Sequence, residues 1–182
     1  MDKSDHPAAR GLTVWFTGLS SSGKTTLSRA IHDELKTRGH PVEWLDGDAV
    51  RQKFSKDLGY SRADRNENIR RIGAVAEELT RQGTIVLVSA ISPYREARDE
   101  VRRRIGDFLE IWVHAPLAVC ESRDRNGIYR RARAKELQHV TGIDDPYENP
   151  LAPDVECCTD RETLAESVAK VMAAVERNLS AR

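Results

Sequence analysis

Apolar residues along this chain fall into two alternating kinds of run. Short dense runs rich in β-branched and aromatic residues cover Leu12 to Thr17, Val42 to Leu45, Thr84 to Ile91, Phe108 to Val113 and Asp154 to Thr159, and each predicts a strand. Between them the apolar residues recur three and four apart. Leu27, Ala30, Ile31 and Leu35 define one such face; Ile69, Ile72, Ala76 and Leu79 define a second; Leu164, Val168, Val171, Met172, Val175 and Leu179 define a third. This spacing predicts helices over 26–35, 61–82 and 161–179, with a charged helix over 96–105 and a short one opened by Pro116 and Leu117 that carries Val119, Cys120 and Glu121. Glycine and proline punctuate the boundaries at Gly39, Pro41 and Gly83, and Ser61-Arg62-Ala63-Asp64 reads as a capping start. Strand and helix in strict alternation predict an α/β fold, a mostly parallel sheet between two helical layers.

The first strand-to-helix junction carries the chemistry. Gly18 to Thr25 reads G-L-S-S-S-G-K-T, the spacing of a phosphate-binding P-loop, placed between a strand and a helix as that motif requires. Backbone N–H groups at a helix N-terminus have no partners of their own, and the helix dipole favours an anion there. The expected ATP cradle is Gly18, Ser20, Ser21, Ser22, Gly23, Lys24, Thr25 and Thr26. Lys24 is expected to reach the β- and γ-phosphates, and the Thr25 hydroxyl to ligate Mg²⁺. No guanine-reading N-K-x-D segment is present, which favours ATP over GTP. The fold class expected is therefore a P-loop NTPase of three α/β/α layers.

The second strand delivers Asp46-Gly47-Asp48 at its carboxyl end, the edge where open parallel sheets bind ligands. Asp46 and Asp48 are candidates for Mg²⁺ handling or for activating a hydroxyl, and equally for capping a helix. Arg51, Arg65 and Asn68 can present donors to an anion. A P-loop NTPase often carries an aspartate at the end of the third strand; here that place holds Ser89-Ala90, so the acid is expected from Asp46 or Asp48. The strand–helix rhythm breaks from Arg123 to Asn149, a basic segment ending in the turn-rich Thr141 to Tyr147. A long loop in a compact domain is usually functional, and this one, about 124–149, is expected to be a mobile lid that closes over phosphates and excludes water.

Composition changes little in this picture. The 182 residues, 39% hydrophobic and 32% charged, fit a single domain over 11–182 behind a flexible 1–10 tail. Lys+Arg and Asp+Glu both number 29, so no net charge draws the chain to nucleic acid or to an anionic membrane. No apolar run is long enough to span a bilayer, and the polar start lacks a secretory core, so a cytoplasmic protein is expected. Cys120, Cys157 and Cys158, odd in number with two adjacent, carry neither a disulfide framework nor a zinc spacing.

Taken together, G-L-S-S-S-G-K-T-T, L-D-G-D-A-V-R, D-L-G-Y-S-R-A-D-R-N-E-N-I-R-R, I-S-P-Y-R, P-L-A-V-C-E-S-R-D and T-G-I-D-D-P-Y-E resemble the adenylylsulfate kinase (APS kinase) family from about Gly11 to the terminal helix. The resemblance implies transfer of the ATP γ-phosphoryl to the 3′-hydroxyl of adenosine 5′-phosphosulfate (APS), giving PAPS. It implies catalytic roles for Lys24, Asp48 and Ser92, with Thr25 and Asp48 on the metal. It implies that Asp46, Asp48, Arg51, Tyr60, Arg65, Asn68, Ile91, Ser92, Gln138 and Val140 border the substrate and that Arg123 meets the ATP adenine. Arginine's planar paired donors suit a phosphosulfate, and the Tyr60 ring suits stacking on adenine. In some relatives the serine at the position of Ser92 can be phosphorylated, although in-line transfer needs no such intermediate. A homodimer, and functional association with ATP sulfurylase, are also implied.

The departures cluster in the lid. Lys135, Gln138 and Val140 stand where the family commonly has glycine, lysine and phenylalanine. Loss of one stacking face is expected to weaken APS binding by about 1–3 kcal/mol. These changes motivate a second reading, a P-loop kinase for a different nucleotide or small-molecule hydroxyl; a third, of another class, is a non-catalytic nucleotide-binding module beside ATP sulfurylase.

Overall fold

The computed structural model describes residues 11–181. The expected tail over 1–10 lies outside the described residues. Five strands, β1 (Leu12–Thr17), β2 (Val42–Asp46), β3 (Ile85–Ser89), β4 (Phe108–His114) and β5 (Val155–Cys158), form one sheet in the order β2-β3-β1-β4-β5, every neighbouring pair parallel. Helices α1 (Lys24–Thr37), α2 (Gly47–Phe54), α3 (Arg62–Arg81), α4 (Arg95–Ile105), α5 (Leu117–Ser122), α6 (Ile128–Arg133) and α7 (Leu164–Ser180) connect and flank it.

Strand β1 shows why the sheet is central. Its side chains alternate, and both faces are covered. Leu12, Val14 and Phe16 enter a core with Leu27, Ile31 and Leu35 of α1 and Val171, Met172 and Val175 of α7. Trp15 points the other way, into a core with Ile69, Ile72 and Ala76 of α3 and Ala97 and Val101 of α4. A strand buried on both faces is what a parallel sheet demands, because its crossover helices cover both sides. Trp15 and Phe108 stack in the second layer with ring centroids 5.8 Å apart. The strand order reverses direction at β1, between β3 and β4, and such a switch point opens a crevice at the carboxyl ends of the strands.

Several boundaries differ from the sequence pattern, each for a local reason. Helix α1 begins at Lys24, inside the P-loop motif. The third strand stops at Ser89 rather than Ile91, because Ser92 takes a positive φ of 49° and turns the chain. Helix α2 was anticipated only through the capping alternative for Asp46 and Asp48, without its extent. Its only buried residue is Val50, so apolar periodicity is absent, and the Asp46 carboxylate starts it by accepting from the Asp48 and Ala49 N–H groups at 3.1 and 3.2 Å. Helix α7 starts at Leu164 rather than near Arg161. Thr163 and Glu166 form a capping box there, a T-x-x-E signal that the sequence does contain. Leu164 is consequently 46% exposed and does not face the core, contrary to the periodic reading.

The segment expected to be a lid has its own apolar cluster. Ala115, Cys120, Tyr129, Ala132 and Val140 are buried together, with Leu19, Leu117, Ile128 and Leu137 packed against them. Its short helix α6 is started from a distance. Asp124 accepts from the N–H groups of Ile128, Tyr129 and Arg130 at 2.9, 2.7 and 3.2 Å. The far end of the segment is tied to the main body through charge. Arg98, 1% exposed, pairs with Glu110 at 2.8 Å and donates to the Glu148 carbonyl at 2.7 Å. Helix α4, read as a charged helix, therefore buries one of its charges.

Candidate active site

A single cavity of about 1210 Å³ runs along the carboxyl edge of the sheet. The P-loop, α2, α3 and the 137–141 segment all line it. Drug-sized ligand sites typically span about 300–1,000 Å³, so this one has room for more than one small molecule.

The P-loop is pinned from three sides. Lys24 folds back, and its Nζ donates to the carbonyls of Gly18 and Leu19 at 3.0 and 2.6 Å. Thr159, just beyond β5, donates its hydroxyl to the Ser22 carbonyl at 2.7 Å. Tyr129 of α6 donates to the Ser20 carbonyl at 3.0 Å. Gly18 admits no side chain, because a Cβ there would lie 2.3 Å from the Val113 carbonyl oxygen. Burial pushes the Lys24 amine down to about 8, against the raising pull of Cys120, Asp48 and Asp46. Ser22 Oγ is buried with no hydrogen-bond partner, a polar atom left over inside a phosphate-shaped loop. Ser20, Ser21, Gly23, Lys24, Thr25 and Thr26 line the cavity, while Gly18 and Ser22 form its backing.

Asp46, Asp48, Arg51, Tyr60, Arg65, Asn68, Ile91, Ser92, Gln138 and Val140, spread over 95 positions of sequence from 46 to 140, all line that same cavity. Asp46 is committed to capping α2, which leaves Asp48 as the exposed carboxylate of the pair. Gly47 between them lets α2 press on the sheet, since a Cβ there would meet the Ser89 carbonyl oxygen at 2.7 Å. The Tyr60 ring is flanked by two guanidinium groups, Arg51 at 4.5 Å and Arg65 at 5.5 Å from its centroid. Arg51 also donates to the Leu58 and Gly59 carbonyls. Arg65 ties α3 to the 137–141 segment. It donates to the Tyr60 carbonyl at 3.0 Å and to the His139 carbonyl, and it pairs with Asp145 at 3.7 Å. Burial lowers its guanidinium pKa, opposed by Asp145. Asn68 Oδ1 is buried without a partner.

Ser92 differs from an exposed, modifiable hydroxyl. It is 2% exposed; its Oγ accepts from Trp15 Nε1 at 2.8 Å and donates to the Ala90 carbonyl. Val140 is 8% exposed and belongs to the apolar cluster of the 124–149 segment as well as to the cavity wall. Arg123 is held by Thr159, to Oγ1 at 3.1 Å and to the carbonyl at 2.8 Å. The sequence reading missed Thr159, Tyr129, Arg98 and Thr17. Thr17 Oγ1 shares a 2.9 Å hydrogen bond with Tyr147 and donates to the Ile91 carbonyl. These contacts join residues far apart in sequence, so no local pattern marks them.

A parallel sheet, a phosphate loop opening α1 and an acid at the end of β2, one strand removed from β1, define a P-loop kinase. The adenylylsulphate kinase family model matches residues 10–158. The chain is 63% identical over 163 residues, 90% of its length, to an adenylyl-sulfate kinase of Picosynechococcus, of which it covers 92%. It superposes with a TM-score of 0.87 on the Mycobacterium tuberculosis APS kinase CysC in complex with AMPPNP and APS, at 44% identity over 92% of this chain and 98% of that one. It matches a hexameric APS kinase from Thiobacillus denitrificans at 34% identity and a TM-score of 0.70, covering 93% of this chain and 29% of that one. The chain belongs to the adenylylsulphate kinase family and is an ATP-dependent kinase. Among the readings of the sequence, membership selects the APS kinase.

Proposed function

We propose that this chain transfers the γ-phosphoryl group of ATP to the 3′-hydroxyl of APS, with ATP on the P-loop side and APS on the α2–α3 side of the shared cavity. The observation that carries the reading is that one continuous cavity joins the P-loop to Asp48, Arg51, Tyr60, Arg65 and Asn68. Phosphoryl transfer asks the protein for position and electrostatic stabilisation more than for covalent chemistry. Lys24 swings from the Gly18 and Leu19 carbonyls to the β- and γ-phosphates. Arg123, braced by Thr159, borders the adenine of ATP. Asp48 meets the acceptor hydroxyl and takes or orients its proton. Arg51, Arg65 and Asn68 hold the phosphosulfate side of APS, and Tyr60 and Ile91 border its adenine and ribose, with Gln138 and Val140 across from them. Ser92 shapes the acceptor loop through Trp15 rather than carrying a phosphoryl group.

The donor set on this wall fits Mg²⁺: the Thr25 hydroxyl and the Asp48 carboxylate are hard oxygen ligands, both exposed to the cavity beside Lys24. When bound, Mg²⁺ neutralises charge on the β- and γ-phosphates. Residues 11–182 act as one domain in this reading, and 124–149 act as its lid, opened by releasing the Tyr129 and Arg65 ties. The working state is a homodimer in the cytoplasm, associated functionally with ATP sulfurylase. No helix among the described residues is long and apolar enough to cross a membrane.

The test is ADP release from ATP, Mg²⁺ and APS, with the product identified by mass. PAPS formed at low-micromolar APS supports the reading, and ATP binding without product overturns it. Asp48→Ala should lower turnover by about 10²–10⁴-fold while leaving AMPPNP affinity nearly unchanged. Turnover close to wild type in that variant removes Asp48 from the chemistry.

A further inference from the structure

The spacing of the cysteines along the chain carries no zinc pattern, but the sheet assembles a mixed donor set that the sequence does not show. In the parallel pairing of β4 with β5, His114 lies opposite Cys158, and Trp112 opposite Glu156. Side chains alternate along a strand, so His114, Glu156 and Cys158 share one face of the sheet. Their ligand atoms all lie within 4.8 Å of one another. His114 Nδ1 is 2.9 Å from Glu156 Oε1, and Cys158 Sγ is 3.7 Å from the same oxygen. Bonds of about 2.0–2.3 Å around a tetrahedral ion place neighbouring ligand atoms about 3.3–3.7 Å apart, so small side-chain rotations bring the three into a coordination shell. The imidazole is already oriented, stacked on Trp112 with centroids 4.3 Å apart and planes 13° from parallel. The donors stand on strands rather than on loops, and all three remain reachable from solvent: His114 and Cys158 are half-buried and Glu156 is exposed.

We propose that His114, Glu156 and Cys158 form a binding site for a borderline-soft divalent cation of the Zn²⁺ class, separate from the hard-oxygen Mg²⁺ site of the kinase reaction. Imidazole, thiolate and a single carboxylate select Zn²⁺ or Co²⁺ over Mg²⁺, which prefers an octahedral shell of oxygens. Three protein ligands leave the fourth position to water. The ligand is the thiolate, so the thiol proton leaves to solvent as the S–metal bond forms. None of the three residues lines the kinase cavity. The site nonetheless adjoins the P-loop: the next residue, Thr159, donates its N–H to the His114 carbonyl at 2.9 Å and its hydroxyl to the Ser22 carbonyl.

The test is titration of the untagged, reduced full chain with Co²⁺ alone, followed by absorption. The proposal expects a thiolate-to-cobalt charge-transfer band together with the intense d–d bands of a tetrahedral ion, displaced by Zn²⁺ and not by a large excess of Mg²⁺. Cys158→Ser should abolish the charge-transfer band. His114→Ala and Glu156→Gln should each weaken Co²⁺ binding by about tenfold or more, the least that even an outer-shell partner costs. His40→Ala, on the exposed turn after α1, should change nothing. Melting curves confirm that each variant is folded. Absence of the band, its persistence in folded Cys158→Ser, its displacement by Mg²⁺, or indifference to both His114→Ala and Glu156→Gln would each overturn the site.

Discussion

The P-loop and the 124–149 segment meet at the Tyr129–Ser20 hydrogen bond and border one cavity, and they are built differently. The P-loop is short and covered, and its carbonyls are satisfied by Lys24, Thr159 and Tyr129. Its tightest point, at Gly18, is met by a residue with no side chain. The 124–149 segment is longer, and its short helix relies on a cap from Asp124, four residues before it. Its tight turns fall on Lys135 and His139, with φ of 59° and 61°, where β-carbons cost energy. Lys135 sits one residue beyond the C-cap of α6. The Lys135 N–H bonds the Ala132 carbonyl and the Glu136 N–H bonds the Arg131 carbonyl, which is the Schellman arrangement that favours glycine. The P-loop carries one such β-carbon, at Ser21 with a φ of 60°, against two in the 124–149 segment, so more of the left-handed strain lies in the longer segment.

The largest effect should come from attacking the P-loop. Gly18→Ala drives a methyl into the Val113 carbonyl, a backbone atom that cannot step aside, and should destabilise the fold by about 2–3 kcal/mol. A melting temperature equal to wild type would show that the loop yields more easily than its contacts imply.

Lys24 gives the next largest signal. Its folded pKa is about 8 against an ordinary 10.5, so between those values the unfolded chain holds more protons and stability rises with pH. Bound phosphates favour the charged amine, so AMPPNP binding should take up a proton above about pH 8, and affinity should fall by up to about tenfold per pH unit there. Calorimetry in buffers of different ionisation heat reads the uptake directly. Equal heats in all buffers at that pH would mean that Lys24 is already charged.

The tie between the two regions comes next. Tyr129→Phe removes the hydrogen bond to the Ser20 carbonyl and should cost about 1 kcal/mol, read by chemical denaturation. If opening the segment is part of turnover, KM for ATP shifts more than kcat in this variant. The smallest effect is a gain. Lys135→Gly relieves a left-handed β-carbon at the price of a freer unfolded chain, for a net stabilisation of about 0.5–1 kcal/mol. A lower melting temperature would mean that the Lys135 side chain makes contacts worth more than the strain.

How much could be read beforehand depended on the range of the interaction. The five strands and the long helices α1, α3 and α7 were legible because buried faces repeat with a fixed period. Helix α2 was legible only at its capping aspartate, because one buried valine stands in place of a stripe. The start of α7 was legible at Thr163 and Glu166 but was hidden by the pull of Leu164 into the apolar pattern. The P-loop, Asp48 and the Arg51–Asn68 set were legible because each sits in a contiguous motif. Their bracing residues, Thr159 behind Ser22 and Arg98 beneath Ser92 and Glu148, were not.

The sequence by itself determined the alternation of strand and helix, the phosphate loop and the family, because periodicity, glycine placement and motif spacing are local properties of the chain. Only the tertiary structure decided that Ser92 is buried against Trp15, that Arg65 ties α3 to the His139 carbonyl, and that His114, Glu156 and Cys158 meet. Each of those depends on the register of one strand against another or on a loop crossing the sheet edge. Such contacts arise where long-range packing fixes the angle and depth of an element, and no window of neighbouring residues contains that information.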